Sequence, residues 1–391
     1  MPASTMREVG ERVAALRRAR RMTQAELARA AFMSLSMLRK IEQGSRMPGD
    51  DTLDAIAAAF GIDPTRILTG QSRPDSRVRD ALPDLSAAIA AYDMPDDGPV
   101  RSPAELRVAV GEATGWRLSA QYTSIAHRVP ALLAELARAL HIGQGHPEPA
   151  RLLTTAYRSA DAVAYKYGAH DLSARLVELM RWSATQAEDP LLNATVAYVR
   201  GETFLAARSY LPGLRAMERA LDQMPAPVDD MAAAARGALH MRAAVIAGRA
   251  GDPDAADTHI GEARTLGDRV REGVYDGTAF GPNSVRIHQV SVAVSLGGDH
   301  VQGALDVARS WVPPRSLPTE RSSGFYIELA RAQLWSGLVD DAFKSLQVAR
   351  SIAPQHTREH PWAREDAATL RRLKRADAES LTKFVEWIGA I

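Results

Sequence analysis

Thr23-Gln24-Ala25-Glu26-Leu27-Ala28, followed after five residues by Ser34-Leu35-Ser36-Met37-Leu38-Arg39-Lys40-Ile41-Glu42-Gln43-Gly44, decides the fold. Thr23 and Glu26 are spaced as a capping box, so a helix starts there with Leu27, Ala28 and Ala31 facing inward. Phe32-Met33 reads as a tight turn. Ser34 is a good N-cap and Gly44 a good residue just past a helix end, which bounds a second helix between them. At about 100° per residue, Leu38 and Ile41 point one way, and Leu35, Ser36, Arg39, Lys40 and Gln43 fall in one outward sector. That sector is polar and basic apart from Leu35, whose side chain suits a thymine methyl. On a lone helix such a face is most simply a solvated one. After a three-residue turn, in a basic unit, it reads as a recognition helix.

Working outward, Val9, Val13 and Leu16 mark a preceding helix from about Val9 to Arg20. Leu53, Ile56, Ala57 and Phe60 mark a following one that Gly61 ends, and Asp63-Pro64 opens a fifth that buries Ile67 and Leu68. Residues 7–46 hold ten Lys/Arg against four Glu, a local charge of +6. The whole chain carries +1, so the remainder carries −5, and a basic head on a mildly acidic body is the layout of a head that meets phosphate.

Three regions follow: a head over 6–70, a linker with a short helix (Leu85 to Tyr92) over 71–103, and a body over 104–391. The linker is marked by Pro74, Pro83, Pro95, Pro99 and Pro103. In the body, amphipathic helical patterns succeed one another and no strand-like alternation of useful length occurs, so the fold class is all-α. Gly337, Ala342 and Ala349 repeat the +5 and +12 spacing of Gly251, Ala256 and Ala263, with Arg350 and Arg264 in register. Gly201, Gly213, Ala220 and Pro225 form a third copy, and Ala308 with Pro313 a weaker fourth. Small residues at fixed places let paired helices pack closely.

The absence of cysteine from 391 residues excludes disulfides, thiolate metal sites and cysteine nucleophiles, and suits a reducing cytoplasm. No apolar run approaches the roughly 20 residues that span a bilayer, and Met1–Met6 carries no apolar leader, so the expectation is a cytoplasmic protein without a membrane partner. No Walker loop, G-x-G-x-x-G or G-x-S-x-G occurs; no catalytic residue, cofactor or metal ligand is expected. His356 and His360 share the i, i+4 spacing of metal ligands. With Pro354 and Pro361 beside them and no acidic partner between, they read as a solvated pair.

The head, over about residues 7–70, resembles the Xre/lambda-repressor helix-turn-helix family in its glutamine, N-cap serine, I-E-x-G and Pro48. The resemblance implies that Thr23, Gln24, Leu35, Ser36, Arg39, Lys40, Gln43 and Arg46 form the DNA-binding face. Gln24 would meet a phosphate or base edge, Leu35, Ser36 and Lys40 would enter the major groove, and Gln43 and Arg46 would hold the backbone. It assigns Arg17 and Glu42 to a buried ion pair. Leu35 and Met37 stand where the family often has polar residues. The body resembles tetratricopeptide (TPR) repeats in degenerate form, so the architecture is a five-helix DNA-binding domain followed by a TPR-like α-solenoid.

The repeat register places Thr195, Tyr198, Glu202, Asn283, Arg286, Ile327 and Arg331 on a concave surface, with Tyr198, Glu202, Asn283, Arg286 and Arg331 as the ligand-binding set. The chain's two asparagines, Asn193 and Asn283, are of the type that clamps peptide backbones in TPR receptors. The combination is similar to peptide-responsive regulators of Gram-positive bacteria and to TPR-bearing Xre regulators of actinobacteria. It implies a homodimer on double-stranded DNA with a palindromic operator, controlled by a peptide or small-molecule effector. A protein-interaction scaffold that the head localises to DNA stays open beside it.

Overall fold

The computed structural model describes residues 3–20, 22–60, 67, 75–143, 146–373 and 378–390. They divide into two compact units, Met1–Arg77 and Val78–Ile391.

In the first unit, α1 (Ala3–Ala19), α2 (Gln24–Ala30), α3 (Leu35–Glu42) and α4 (Asp50–Phe60) enclose one apolar core. Val9 and Val13 of α1, Leu27 and Ala28 of α2, Leu38 and Ile41 of α3, and Leu53, Ile56 and Phe60 of α4 are buried in it, as is Ile67. The start signals act where the sequence puts them. Thr23 and Glu26 satisfy each other's backbone in a capping box, and the Ser34 hydroxyl accepts from the Met37 amide at 3.2 Å. Gly44, at φ +69°, turns the chain away after α3. The expected fifth helix at Asp63-Pro64, with Leu68, lies outside the described residues.

The second unit is built of antiparallel helix pairs, as the repeat reading expects. They are α6 (Pro103–Leu118) with α7 (Tyr122–Ile142), α8 (Pro147–Lys166) with α9 (His170–Gln186), and α10 (Pro190–Ala206) with α11 (Tyr210–Gln223). Next come α12 (Asp230–Ala250) with α13 (Pro253–Gly267), α14 (Pro282–Leu296) with α15 (Val301–Ser310), and α16 (Thr319–Trp335) with α17 (Val339–Ile352). The short α18 (Pro354–Glu359), α19 (Pro361–Leu373) and α20 (Ala378–Ile388) follow. Gly251 and Gly337, both at φ +76°, end α12 and α16; Ala256, Ala263, Ala342 and Ala349 are fully buried on the partner helices. The shared spacing is thus a left-handed cap followed by a small-residue seam. Proline more often opens a helix here than stops one, because the first turn has no use for the missing amide.

Two features depart from the sequence reading. The segment expected to be a linker with a helix from Leu85 to Tyr92 instead carries α5 (Asp75–Ala90), with Pro83 inside it. Val78, Ala81, Leu85 and Ile89 recur at helical spacing and are buried in the core of the body. A β-hairpin also interrupts the helices, β1 (Gly273–Tyr275) pairing with β2 (Thr278–Phe280). Its turn is Asp276-Gly277, both at positive φ, the dipeptide suited to a tight two-residue hairpin. Three-residue strands are too short to show alternation.

The body closes on itself. The Thr123 amide of α7 donates to Gln355 Oε1 of α18 at 3.1 Å, and Arg79 of α5 lies 3.6 Å from the Glu359 carboxylate. The hairpin reaches back to α6 and α8, 118 to 160 residues earlier in the chain.

Candidate DNA interface and a charged cavity in the body

In the head, Arg17 of α1 makes a two-point ion pair with Glu42 of α3, Nε to Oε1 at 2.7 Å and Nη2 to Oε2 at 3.1 Å. Its Nη1 donates to the Met22 carbonyl at 2.8 Å. Gln24 Nε2 of α2 donates to Glu42 Oε2 at 2.8 Å, and its Oε1 accepts from Arg39 Nε at 3.4 Å. The pair is largely shielded from water, which makes two-point geometry worth having. Burial pushes the Glu42 carboxyl up, but hydrogen bonds from Arg17 and Gln24 outweigh it and hold the group below the usual carboxylate range. The three helices are thereby locked in one register.

Outside this lock, Ser36, Lys40, Gln43 and Arg46 are exposed on or just past α3, as is Arg39, whose Nε reaches back to Gln24. The expected outward set differs from the observed one at two places. Leu35 is half-buried against the head's core rather than free. Gln24 is half-buried and engaged by Glu42. Thr23 is exposed as expected, its hydroxyl shared with the capping box. What α3 presents is a short basic and polar face, with no side chain on it required by the core except Leu35.

The body contains a cavity of about 260 Å³. The first helices of the successive pairs (α6, α8, α10, α12, α14 and α16), the hairpin and α18 all contribute to its wall. At its centre, the Tyr198 ring lies 4.2 Å from the Arg242 guanidinium and 5.8 Å from that of Arg158, and its hydroxyl accepts from Arg321 Nη2 at 2.5 Å. Burial raises the phenol, yet Arg242 and Arg321 overcome it and bring it down to about 8. Arg242 also pairs with Glu202 at 2.9 Å. Lys166 pairs with Glu320 at 2.8 Å and lies 3.2 Å from His356 Nε2.

Two further arginines on this wall hold the hairpin. Arg117 Nη2 donates to the Gly277 carbonyl, and Arg158 donates to the Asp276 carbonyl and to Thr278 Oγ1, each at 2.7 Å. The acids lining the cavity carry less charge than their number suggests. Burial raises Asp161, which accepts from Ser173, and pushes Glu328, beside Ser291, up to about 7.

Of the ligand residues expected from sequence, Tyr198 and Glu202 face this cavity. Asn283, Arg286 and Arg331 are not among the residues lining it. Asn283 Oδ1 accepts from Trp311 Nε1 at 3.2 Å, and Arg286 is exposed beside the same ring. Arg331 is buried in an ion pair with Asp366 at 2.8 Å. Of the other concave-surface residues, Thr195 and Ile327 are buried. The histidine pair expected to be solvated is instead turned inward: His356 is buried, bonded to Ser323, and lines the cavity with His360, because α18 tucks both rings toward it. Among the described residues, no group of three or more His, Asp or Glu is placed to hold a metal, and no helix is long and apolar enough to cross a membrane. Sequence reasoning missed Arg158, Lys166, Arg242, Glu320 and Arg321. The available signal was charge inside otherwise apolar helices, as in Ala156-Tyr157-Arg158-Ser159-Ala160-Asp161.

Residues 13–67 match the family model described as helix-turn-helix. Over 60 residues the chain is 42% identical to the immunity repressor protein of Bacillus phage phi105, a match covering 15% of this chain and 42% of that one. The chain thus spans about two fifths of that relative's length. Among solved structures, Bacillus thuringiensis PlcR, in complex with the peptide PapR7 and DNA, aligns over 66% of this chain and 94% of its own at 15% identity and a TM-score of 0.28. The apo competence regulator ComR of Streptococcus vestibularis aligns over 90% and 93% at 12% identity and a TM-score of 0.27. At those scores neither structure bears on the reading of this chain. Residues 13–67 of the N-terminal unit are thus similar to helix-turn-helix domains.

Proposed function

We propose that the protein is a sequence-specific transcription regulator: α3 reads the major groove, and the body senses a peptide or small molecule and holds two copies together on a palindromic operator. The observation that carries the first half is the Arg17–Glu42–Gln24 lock. It fixes α3 against α1 and α2 while leaving Ser36, Arg39, Lys40, Gln43 and Arg46 exposed beyond it. A rigidly seated helix with a free basic face is what base readout needs. The sensing half is supported by the cavity. Its wall is drawn from elements along the whole array, so a ligand filling it touches all of them and biases their arrangement by its differential affinity.

Lys40→Ala with Gln43→Ala tests the reading, since both side chains are exposed and neither belongs to the lock. Loss of a base contact costs about 1–3 kcal/mol of discrimination. Operator affinity is expected to fall at least tenfold at constant salt, with an unchanged melting temperature. Footprinting of the wild type is expected to protect two half-sites about one helical turn apart. Unchanged operator affinity in the double variant removes α3 as the reading helix. Protection of a single half-site removes the dimer.

A further inference from the structure

The cavity holds more positive charge than its own acids neutralise. Arg117, Arg158, Arg249 and Arg321 all line it, and among the described residues none lies within 4.0 Å of a carboxylate. Arg117 is 8% exposed and its Nε has no hydrogen-bond partner; the Nε atoms of Arg242 and Arg249 are likewise buried and unpartnered. Buried guanidinium groups without counter-charge are costly, and a fold keeps them where something else supplies the anion. In the free protein the Tyr198 hydroxyl is the acceptor nearest to that role, and it meets only Arg321 directly.

The size of the space limits the occupant. About 260 Å³ lies just below the roughly 300–1,000 Å³ of sites for drug-sized ligands, so the space suits a small molecule. One carboxylate satisfies one or two arginines. A phosphate group offers three oxygens and close to two charges, and guanidinium forks match it at two points each. Val199, Val245 and Phe325, also on the wall, supply an apolar side for a short carbon skeleton.

We propose that this cavity binds a small organic phosphate, with the phosphate group among Arg158, Arg242 and Arg321 and the carbon skeleton against Val199, Val245 and Phe325. The proposal deepens the sensor reading and rests on it for its regulatory meaning; the binding site itself does not.

The test uses the full-length protein in chloride buffer at fixed ionic strength. Glycerol 3-phosphate and inorganic phosphate are the probes, and glycerol and acetate the controls. Ligand bound only to the folded state raises its stability by mass action, so glycerol 3-phosphate at about a hundredfold excess over its dissociation constant raises the melting temperature by roughly 3–5 °C. Inorganic phosphate gives a smaller rise, and the controls give none. Calorimetric titration shows one site per chain. Arg321→Met removes the shift while keeping the helical circular dichroism. Arg242→Gln, whose guanidinium lies 4.2 Å from the Tyr198 ring and has no hydrogen-bond partner on Nε, weakens binding at least tenfold and covers the case in which the first variant misfolds.

A wild-type shift no greater with phosphate than with acetate overturns the proposal, as does an equal shift in both variants. Operator affinity is measured with and without glycerol 3-phosphate. Binding with no change in DNA affinity supports the site and overturns the sensor reading. DNA affinity that responds to a peptide but to neither phosphate keeps the sensor reading and overturns this site.

Discussion

Phe32 occupies the turn between α2 and α3 at φ +52°, with 96% of its surface exposed. A left-handed backbone costs a residue with a Cβ about 1–2 kcal/mol, and this side chain recovers none of it through packing. Phe32→Gly is therefore expected to stabilise the head by about 0.5–1 kcal/mol after the added chain entropy of glycine. The change is readable as a higher denaturation midpoint, and a lower midpoint would show that the ring contributes contacts. At this scale the caps were legible: Thr23, Glu26, Ser34 and Gly44 act locally, within three residues of their partners. Gln24 was only half legible. Its position at the start of α2 pointed to DNA, whereas its amide is engaged by Glu42, 18 residues away, and spacing alone does not report such a partner.

At the scale of elements, α1 and α3 approach so closely at Gly10 that a Cβ there would lie 2.2 Å from the Ile41 carbonyl oxygen and 2.9 Å from that of Glu42. Both obstacles are backbone, so Gly10→Ala must push the helices apart. Overpacking of this kind costs about 1–3 kcal/mol, and here it also displaces α3 from the Arg17–Glu42 lock. The expected outcome is a lower melting temperature together with weaker operator binding. Retention of both by Gly10→Ala would mean that the contact is looser than it stands. The helical pairs of the body were readable because left-handed caps and alanine seams recur at fixed spacing. The hairpin and α5 were not. Asp276-Gly277 is too short a signal, and Pro83 made a buried helix look like a linker. Nor could the repeat register say which inward residues line the cavity, because closure of the array by α18 and the hairpin is a long-range event.

At the scale of the whole molecule, the buried charges of the body set its response to acid. Burial lowers His356 to about 3, with Lys166 acting the same way and Glu320 opposing. It holds His360 and His288 well below their usual value too, helped by cations nearby: Lys166, Arg331 and Arg249, with His356, around the first, Arg321 and Arg242 around the second. Below pH about 6.5 the unfolded chain protonates these three imidazoles and the folded one does not, so stability falls as pH falls, by about 1.4 kcal/mol per pH unit for each proton. Glu328, raised by burial to about 7, and Asp161, also raised, work the other way. The folded chain holds their protons while the unfolded chain, above about pH 4.5, does not. Three against two leaves a net slope of about one proton between pH 6.5 and 4.5, to which the less buried His240 and His259, both lowered, add. Below 4.5 the unfolded carboxyls protonate as well and the opposition ends. Glu320, which burial raises but Lys166 holds down to about 2, then joins the histidines, and the loss steepens. Denaturant midpoints at pH 7, 5.5 and 4 should therefore show a shallow decline followed by a steep one. His360 Nδ1 has no hydrogen-bond partner, so His360→Phe removes one titrating ring at little cost in contacts. Its decline between pH 6.5 and 4.5 should be shallower than that of the wild type by about one proton; an unchanged slope would mean that His360 is already charged in the folded protein.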